Sequence, residues 1–233
     1  MKKYINNKKI VKIILVSIVS IIAISAVGMY VYLSFTYAPD AIAQEALLHE
    51  NVEVLDGMIA VYDETPSDTA LIFYPGGKVQ YEAYLPLLIK LQEKLNMTCV
   101  MVEMPFNIAV FNSNAGNKIL KQFPEITKWN IVGHSVGGAA ASMYAVSNPD
   151  IIQTLTLLGS YNYAGFPEEK TLTIYGSFNP QEEINYTQNI YVIEGGNHAK
   201  YGNYGRQRGD VDGTISREEQ QNQTVEIMAE FIK

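Results

Sequence analysis

The sequence predicts an α/β domain built on a doubly wound, mostly parallel sheet, single in its core and preceded by one transmembrane helix. Three observations lead there. Short continuous apolar runs alternate with helical stretches over most of the chain, and unbroken apolar runs mark strands buried on both faces, as in parallel sheets covered by helices. The first 39 residues hold five lysines and no acid, and everything from Ile13 to Pro39 is uncharged. What remains is about 195 residues, the size of one domain.

The elements follow in order. Lys2, Lys3, Lys8, Lys9 and Lys12 precede the apolar stretch, so residues 1–12 read as a cytoplasmic end and residues 13–38 as a transmembrane anchor, since a bilayer needs roughly 20 apolar residues. Tyr30, Tyr32, Phe35 and Tyr37 read as interfacial aromatics at its far side. A secretory signal is the competing reading, with Ala41-Ile42-Ala43 as its cleavage site. Its apolar core would be shorter, about 7–15 residues, so an uncleaved anchor is expected, with the rest of the chain extracytoplasmic. Residues 39–50 read as a linker with one or two helical turns, and residues 51–233 as the folded domain.

Within that domain, "VEVLDGMIAVYDE" alternates around Asp56-Gly57, a strong hairpin signal. The runs "ALIFY", "TCVMVEM", "NIVG", "TLTLLG", "TLTIYG" and "IYVIEG" are strands. Helices are expected at "YEAYLPLLIKLQEKL", "AGNKILKQF", "GGAAASMYAVS", "PQEEINYTQ" and the closing "SREEQQNQTVEIMAEFI". Strand–helix alternation implies right-handed crossovers, and such sheets bind ligands at the carboxyl ends of their strands. All 24 acids lie beyond residue 39 against 12 of the 17 basic residues, leaving this part at −12. So acidic a surface repels phosphate backbones and argues against nucleic acid as a partner. Cys99 stands alone, so no internal disulfide forms, and its setting in "TCVMV" reads as core.

"IVGHSVGG", Ile131 to Gly138, carries the chemistry. It follows a strand and opens a helix rich in small residues, the arrangement a nucleophile elbow requires. Ser135 would project over the helix N-terminus, whose unpaired N–H groups face a developing oxyanion. An elbow serine needs a base, and the chain has three histidines. His49 precedes the sheet and His134 is adjacent to the serine, so its side chain should diverge. His198, in "IEGGNHAKYGNYG" after the last strand, has the expected order and place.

With these motifs in order, the chain resembles the alpha/beta hydrolase superfamily, in particular a cap-less group related to dienelactone hydrolases. The resemblance rests on "FYPGGKVQYEAYLPLL", "EMPFNIAVF", "GHSVGG", "YGS" and "GGNHAKYGNYG" and covers nearly all of residues 50 to 232. It implies Ser135 as nucleophile, His198 as base, and an oxyanion hole from the N–H of Val136 and that of Gly77 or Lys78. The third triad member departs from the pattern: "YGSFNPQEE" has Asn179 where such enzymes carry an aspartate. Asparagine can orient the histidine but cannot stabilise its cation by charge. Glu182 and Glu183 are the nearby acids, so Asn179 and Glu182 both stay candidates.

Other stretches carry weaker signals. "RGDVDGTISREE" puts Asp210, Asp212, Gly213 and Glu219 at calcium-loop positions, but Arg208 stands where the first carboxylate belongs. A helix start capped by Ser216, with Val225, Met228 and Phe231 inward, is the simpler account, so no metal and no cofactor is expected. Phe106, Ile108, Val110 and Phe111 are divided between acyl pocket and core, and Tyr201 and Tyr204 between pocket rim and loop packing. The resulting expectation is a membrane-anchored serine hydrolase acting on a small ester or thioester. Its competitor is a degenerate scaffold that binds but does not turn over, for which the missing aspartate speaks.

Overall fold

The N-terminal segment forms helix α1 (Asn7–Ser34), 28 residues with a mean hydropathy of 2.7 over its most apolar window. At about 1.5 Å per residue it exceeds the roughly 30 Å of a hydrocarbon core, so it is long and apolar enough to cross a membrane. The computed structural model describes residues 7–65, 67–179 and 188–232, and the chain divides at residue 36 into this helix and a second unit of residues 37–233. The helix stops at Ser34, so Phe35 to Ala38 lie beyond it.

The second unit is one sheet covered on both faces. Strands β1 (Val52–Leu55) and β2 (Met58–Val61) form the hairpin, and Gly57, at φ 61°, takes the left-handed position that its two-residue turn demands. Six further strands follow: β3 (Thr69–Tyr74), β4 (Cys99–Val102), β5 (Lys128–His134), β6 (Ile152–Leu158), β7 (Thr171–Gly176) and β8 (Ile190–Ile193). Their order across the sheet is β1-β2-β4-β3-β5-β6-β7-β8, antiparallel through β1, β2 and β4 and parallel from β4 onward. This is the doubly wound, mostly parallel arrangement that the apolar runs predict.

Alternate residues of each strand feed two cores, as the pleat requires. Leu71 and Phe73 of β3 join Met101 and Val132 on one side, under helices α3 (Leu85–Leu95) and α6 (Arg217–Phe231). Ala70, Ile72 and Tyr74 join Val100 and Ile131 on the other, under α4 (Gly116–Gln122) and α5 (Val136–Ser147). Cys99 is fully buried in the first core, and burial pushes its thiol far above its ordinary value. Each fully buried Leu or Ile contributes roughly 1.5–3 kcal/mol, so the cores alone can hold this disulfide-free unit.

Residues 37–46 are built into this unit rather than linking to it. Tyr37 donates its N–H to Lys78 O at 2.7 Å and packs its ring 5.7 Å from that of Tyr204, so it is no interfacial aromatic of the helix. Asp40 caps the short helix α2 (Ala41–Ala46) by accepting from Ala43 N–H, and pairs with Arg217 at 2.9 Å. Ala43 is completely buried. Helix α6 starts at Ser216, whose Oγ accepts from Glu219 N–H at 3.0 Å, the cap expected from sequence. Val225 and Met228 turn inward as expected, whereas Phe231 is half-buried; the buried face is otherwise polar, with Gln220, Gln221 and Thr224. The helix expected at "PQEEINYTQ" lies, through residue 187, outside the described residues. Asp40→Ala removes both a helix cap and a part-buried ion pair, and is expected to lower the unfolding free energy by about 1–3 kcal/mol in chemical denaturation, while Asp56→Ala, at an exposed pair, has little effect.

Candidate functional site

Four loops meet at the carboxyl ends of the parallel strands. They follow β3 (Pro75 to Lys78), β5 (Ser135), β7 (Ser177 to Asn179) and β8 (Glu194 to Tyr204). Ser135 sits at φ 52° and ψ −124°, a strained backbone for a residue with a Cβ. Close packing holds it there. A Cβ on Gly133 would meet Gly138 Cα at 2.5 Å, and one on Gly137 would run into the carbonyl oxygens of Tyr74 and Pro75. The strand and helix on either side of Ser135 are therefore pressed together with no room for a side chain. Ser135 N–H donates to Leu158 O at 3.0 Å and Ser160 Oγ donates to Ser135 O at 2.8 Å, fixing the turn from β6.

Ser135, Asn179 and His198 line one cavity of about 770 Å³. His198 Nδ1 donates to Asn179 Oδ1 at 2.6 Å, which leaves Nε2 as the basic nitrogen of the neutral ring. Burial lowers the His198 pKa, and the charge of Asp210 partly opposes that shift. Of the candidates for a partner to His198, Asn179 is the one seen beside it. Glu182 and Glu183 lie outside the described residues.

His134, whose side chain is expected from sequence to diverge from that of Ser135, supports the site from below. It is buried, its ring centroid is 4.7 Å from that of His198, and its Nε2 donates to the carbonyl of His198 at 3.0 Å. That bond fixes the tautomer, so Nδ1 accepts from Tyr84 Oη at 2.7 Å. Tyr84 Oη in turn accepts Gly76 N–H at 3.1 Å. Burial drives the His134 pKa well below its ordinary value, and the neighbouring His198 adds to that, so the ring stays neutral as the bonds require. One buried chain of hydrogen bonds thus joins the turn after β3 to the backbone of His198. His49 is elsewhere, turned onto Asn51 N–H at 3.3 Å.

In the turn after β3, Gly76 and Lys78 have their N–H groups engaged, the latter with Asn107 O at 2.6 Å. Gly77 N–H has no acceptor among the described residues, and neither has Val136 N–H at the first position of α5. The two residues touch: a Cβ on Gly77 would lie 3.3 Å from Val136 Cγ2. Between the alternatives Gly77 and Lys78, the unoccupied donor is Gly77.

The loop carrying His198 is clamped by α6 in a way the sequence does not announce. Gln220 accepts Asn197 N–H at 2.9 Å and donates to Asn197 O at 2.8 Å, as a neighbouring strand would, and Gln221 donates to Asn203 Oδ1 at 2.8 Å. Tyr201 and Tyr204 are buried and pack this loop rather than forming a rim. The apolar and aromatic part of the cavity wall includes Val110, Val136, Ala139, Met143, Tyr161 and Tyr163. Of the four residues divided between pocket and core, only Val110 lines it and none is buried; Phe106 and Phe111 are exposed and pack edge to face at 6.2 Å. Among the described residues no group of three His, Cys, Asp or Glu side chains could hold a metal ion, and the calcium-loop stretch serves the site otherwise, through Asp210.

Residues 70–222 match a model described as the alpha/beta hydrolase family. No curated protein matches the chain. Among solved structures, a predicted CIB-like hydrolase from Thermoplasma acidophilum is similar at 15% identity and a TM-score of 0.54, over 77% of this chain and 97% of its own. An esterase from Pyrobaculum calidifontis is similar at 12% identity and a TM-score of 0.54, over 82% and 88% of the two chains. A dienelactone hydrolase from Anabaena variabilis is similar at 12% identity and a TM-score of 0.52, over 75% and 89%. At such identities the likeness concerns the fold alone. The match over about two thirds of the residues decides the family, and the chain belongs to the alpha/beta hydrolases.

Proposed function

We propose that this protein is a membrane-anchored extracytoplasmic serine hydrolase that cleaves a small carboxylic ester or thioester through an acyl-enzyme. The observation that carries the reading is a serine on a strained strand-to-helix turn sharing one cavity with a histidine whose Nδ1 is already held. Ser135 Oγ attacks the acyl carbon while His198 Nε2 takes its proton. The N–H groups of Gly77 and Val136 receive the oxyanion, since both are unengaged among the described residues and the Val136 side chain packs beside Gly77. His198 returns the proton to the leaving group, and a water activated by the same nitrogen then releases the acid. Apolar and aromatic side chains dominate the cavity wall, which suits an acyl chain of modest size. No cofactor or metal enters this scheme, and nucleic acid is no partner for so acidic a surface. The lysines among the first dozen residues and the length of α1 support an anchor with its N-terminus in the cytoplasm.

Asn179 favours the other reading, a hydrolase scaffold kept for binding, and the same experiment separates the two. Labelling of the full chain by a fluorophosphonate should be lost in Ser135→Ala. Turnover of an activated ester should fall by roughly 10⁴-fold or more in Ser135→Ala and His198→Ala, and stay near wild type in His49→Ala. A wild-type chain that neither labels nor turns over would mark the scaffold as a binding protein. The anchor is tested separately: protease added to intact cells should degrade residues 37–233 and leave the lysine-rich first dozen residues protected.

A further inference from the structure

The partner of His198 is neutral, so the imidazolium that forms as Ser135 attacks has no charged acceptor at Nδ1. Asp210 is the only carboxylate among the described residues lining the cavity. It sits on the loop between β8 and α6, after Gly209 at φ 88°, and its carboxylate folds back onto the start of the histidine turn. Oδ1 accepts His198 N–H at 3.3 Å and Val211 N–H at 3.0 Å, and Oδ2 accepts Ala199 N–H at 2.8 Å. These bonds hold a negative charge against the backbone that carries the imidazole, on a loop already fixed by Asn197 Nδ2 donating to Val211 O at 2.8 Å.

Among the described residues that line the cavity, no other anion could do this. From β5, His134 faces the ring of His198 and is neutral. From β7 and its following turn come Tyr175 and Asn179, and below the loop lies the buried Tyr201. Arg208, on the same loop as Asp210, lines the cavity as a cation and would act in the opposite sense. The described charges that line the cavity with His198 are therefore one carboxylate and one guanidinium, with the carboxylate bonded directly to the histidine's own backbone.

We infer that the work of the usual triad acid is divided here, Asn179 orienting His198 through Nδ1 and Asp210 supplying the negative charge that stabilises its cation. Asp210 acts through His198 and is a positioning and charge-supplying residue, not one that touches substrate. The inference rests on the hydrolase reading for its catalytic meaning, but the charge on the ring can be read without turnover. It is consistent with Asp210 opposing the burial that lowers the His198 pKa.

The test is a titration of the full chain with carbon-13-labelled histidine, in which three imidazole signals are resolved and His198 is identified by its loss in His198→Gln. An opposite charge at this range raises a histidine pKa by about one unit or more, so Asp210→Asn should lower that of His198 by roughly tenfold in proton affinity. Because the base must be neutral, the acid limb of kcat/KM moves to lower pH in Asp210→Asn while its plateau falls about tenfold or more. A merely structural loss would lower the plateau and leave the limb in place. Asn179→Asp placed in the Asp210→Asn background should restore both the pKa and the plateau, since it returns a carboxylate to the ring. Glu182→Gln should move neither. An unshifted His198 pKa in Asp210→Asn, a failed rescue by the folded double variant, or the same drop in Glu182→Gln overturns the inference. Should Asp210→Asn not fold, the wild-type titration decides: raising salt from about 0.05 M to about 0.5 M screens a part-exposed carboxylate and should lower the His198 pKa, and an unchanged value overturns the inference. A wild-type chain whose His198 responds to Asp210→Asn but which hydrolyses nothing would remove the hydrolase reading and leave the charge assignment standing.

Discussion

The strained backbone at Ser135 is the constraint around which the site is arranged. A residue with a Cβ at φ 52° and ψ −124° persists only where its surroundings leave no alternative, and here they are main chain on both sides. Gly133 lets the end of β5 touch α5, and Gly137 lets α5 touch the carbonyls that end β3. The same close approach brings the turn after β3 against the side chain of Val136. The strained serine turn and the turn after β3 are one packing solution.

The loop that carries His198 is held by a different set of forces. Beside the buried Tyr201 and Tyr204, polar groups hold it: Gln220 and Gln221 from α6, Asp210 from the adjoining loop, and His134 from below. Buried amides and a buried neutral imidazole are costly unless every donor and acceptor is matched, and here the matches fix the loop in one conformation. His134 joins the two halves. Through Tyr84 it also ties the turn after β3, so the oxyanion side and the base side share a single buried network.

Much of this was legible from local patterns. Asp56-Gly57 between alternating runs named the hairpin, unbroken apolar runs named the parallel strands, and Ser216 marked the start of α6. Ser135 and His198 stood out from the motifs that carry them and from their order along the chain. What could not be read was contact between distant segments. Whether Asn179 or an acid near it meets His198 depends on a turn of a few residues, and "QQ" in α6 looks like an exposed face until its loop is placed over it. Asp210 was visible only as a fragment of a calcium loop, since its real partners are backbone N–H groups, which carry no sequence signature. Tyr37 read as part of the anchor because an aromatic beside an apolar span has the same composition whether it meets lipid or protein.

That segment has a consequence for processing. Ala41-Ile42-Ala43 has the small residues a signal peptidase selects, yet in the folded unit it is the first turn of α2 with Ala43 entirely buried. A protease would need this turn unwound, so cutting competes with folding and has to happen before residues 37–46 dock. A product cut there would lose Asp40 with its hold on Arg217, and Tyr37 with its bonds to Lys78 O and Arg208 N–H, beside the oxyanion turn and the cavity wall. Shedding at this point would therefore release a weakened domain, whereas a cut between Ser34 and Tyr37 would release one with every described contact of the unit intact.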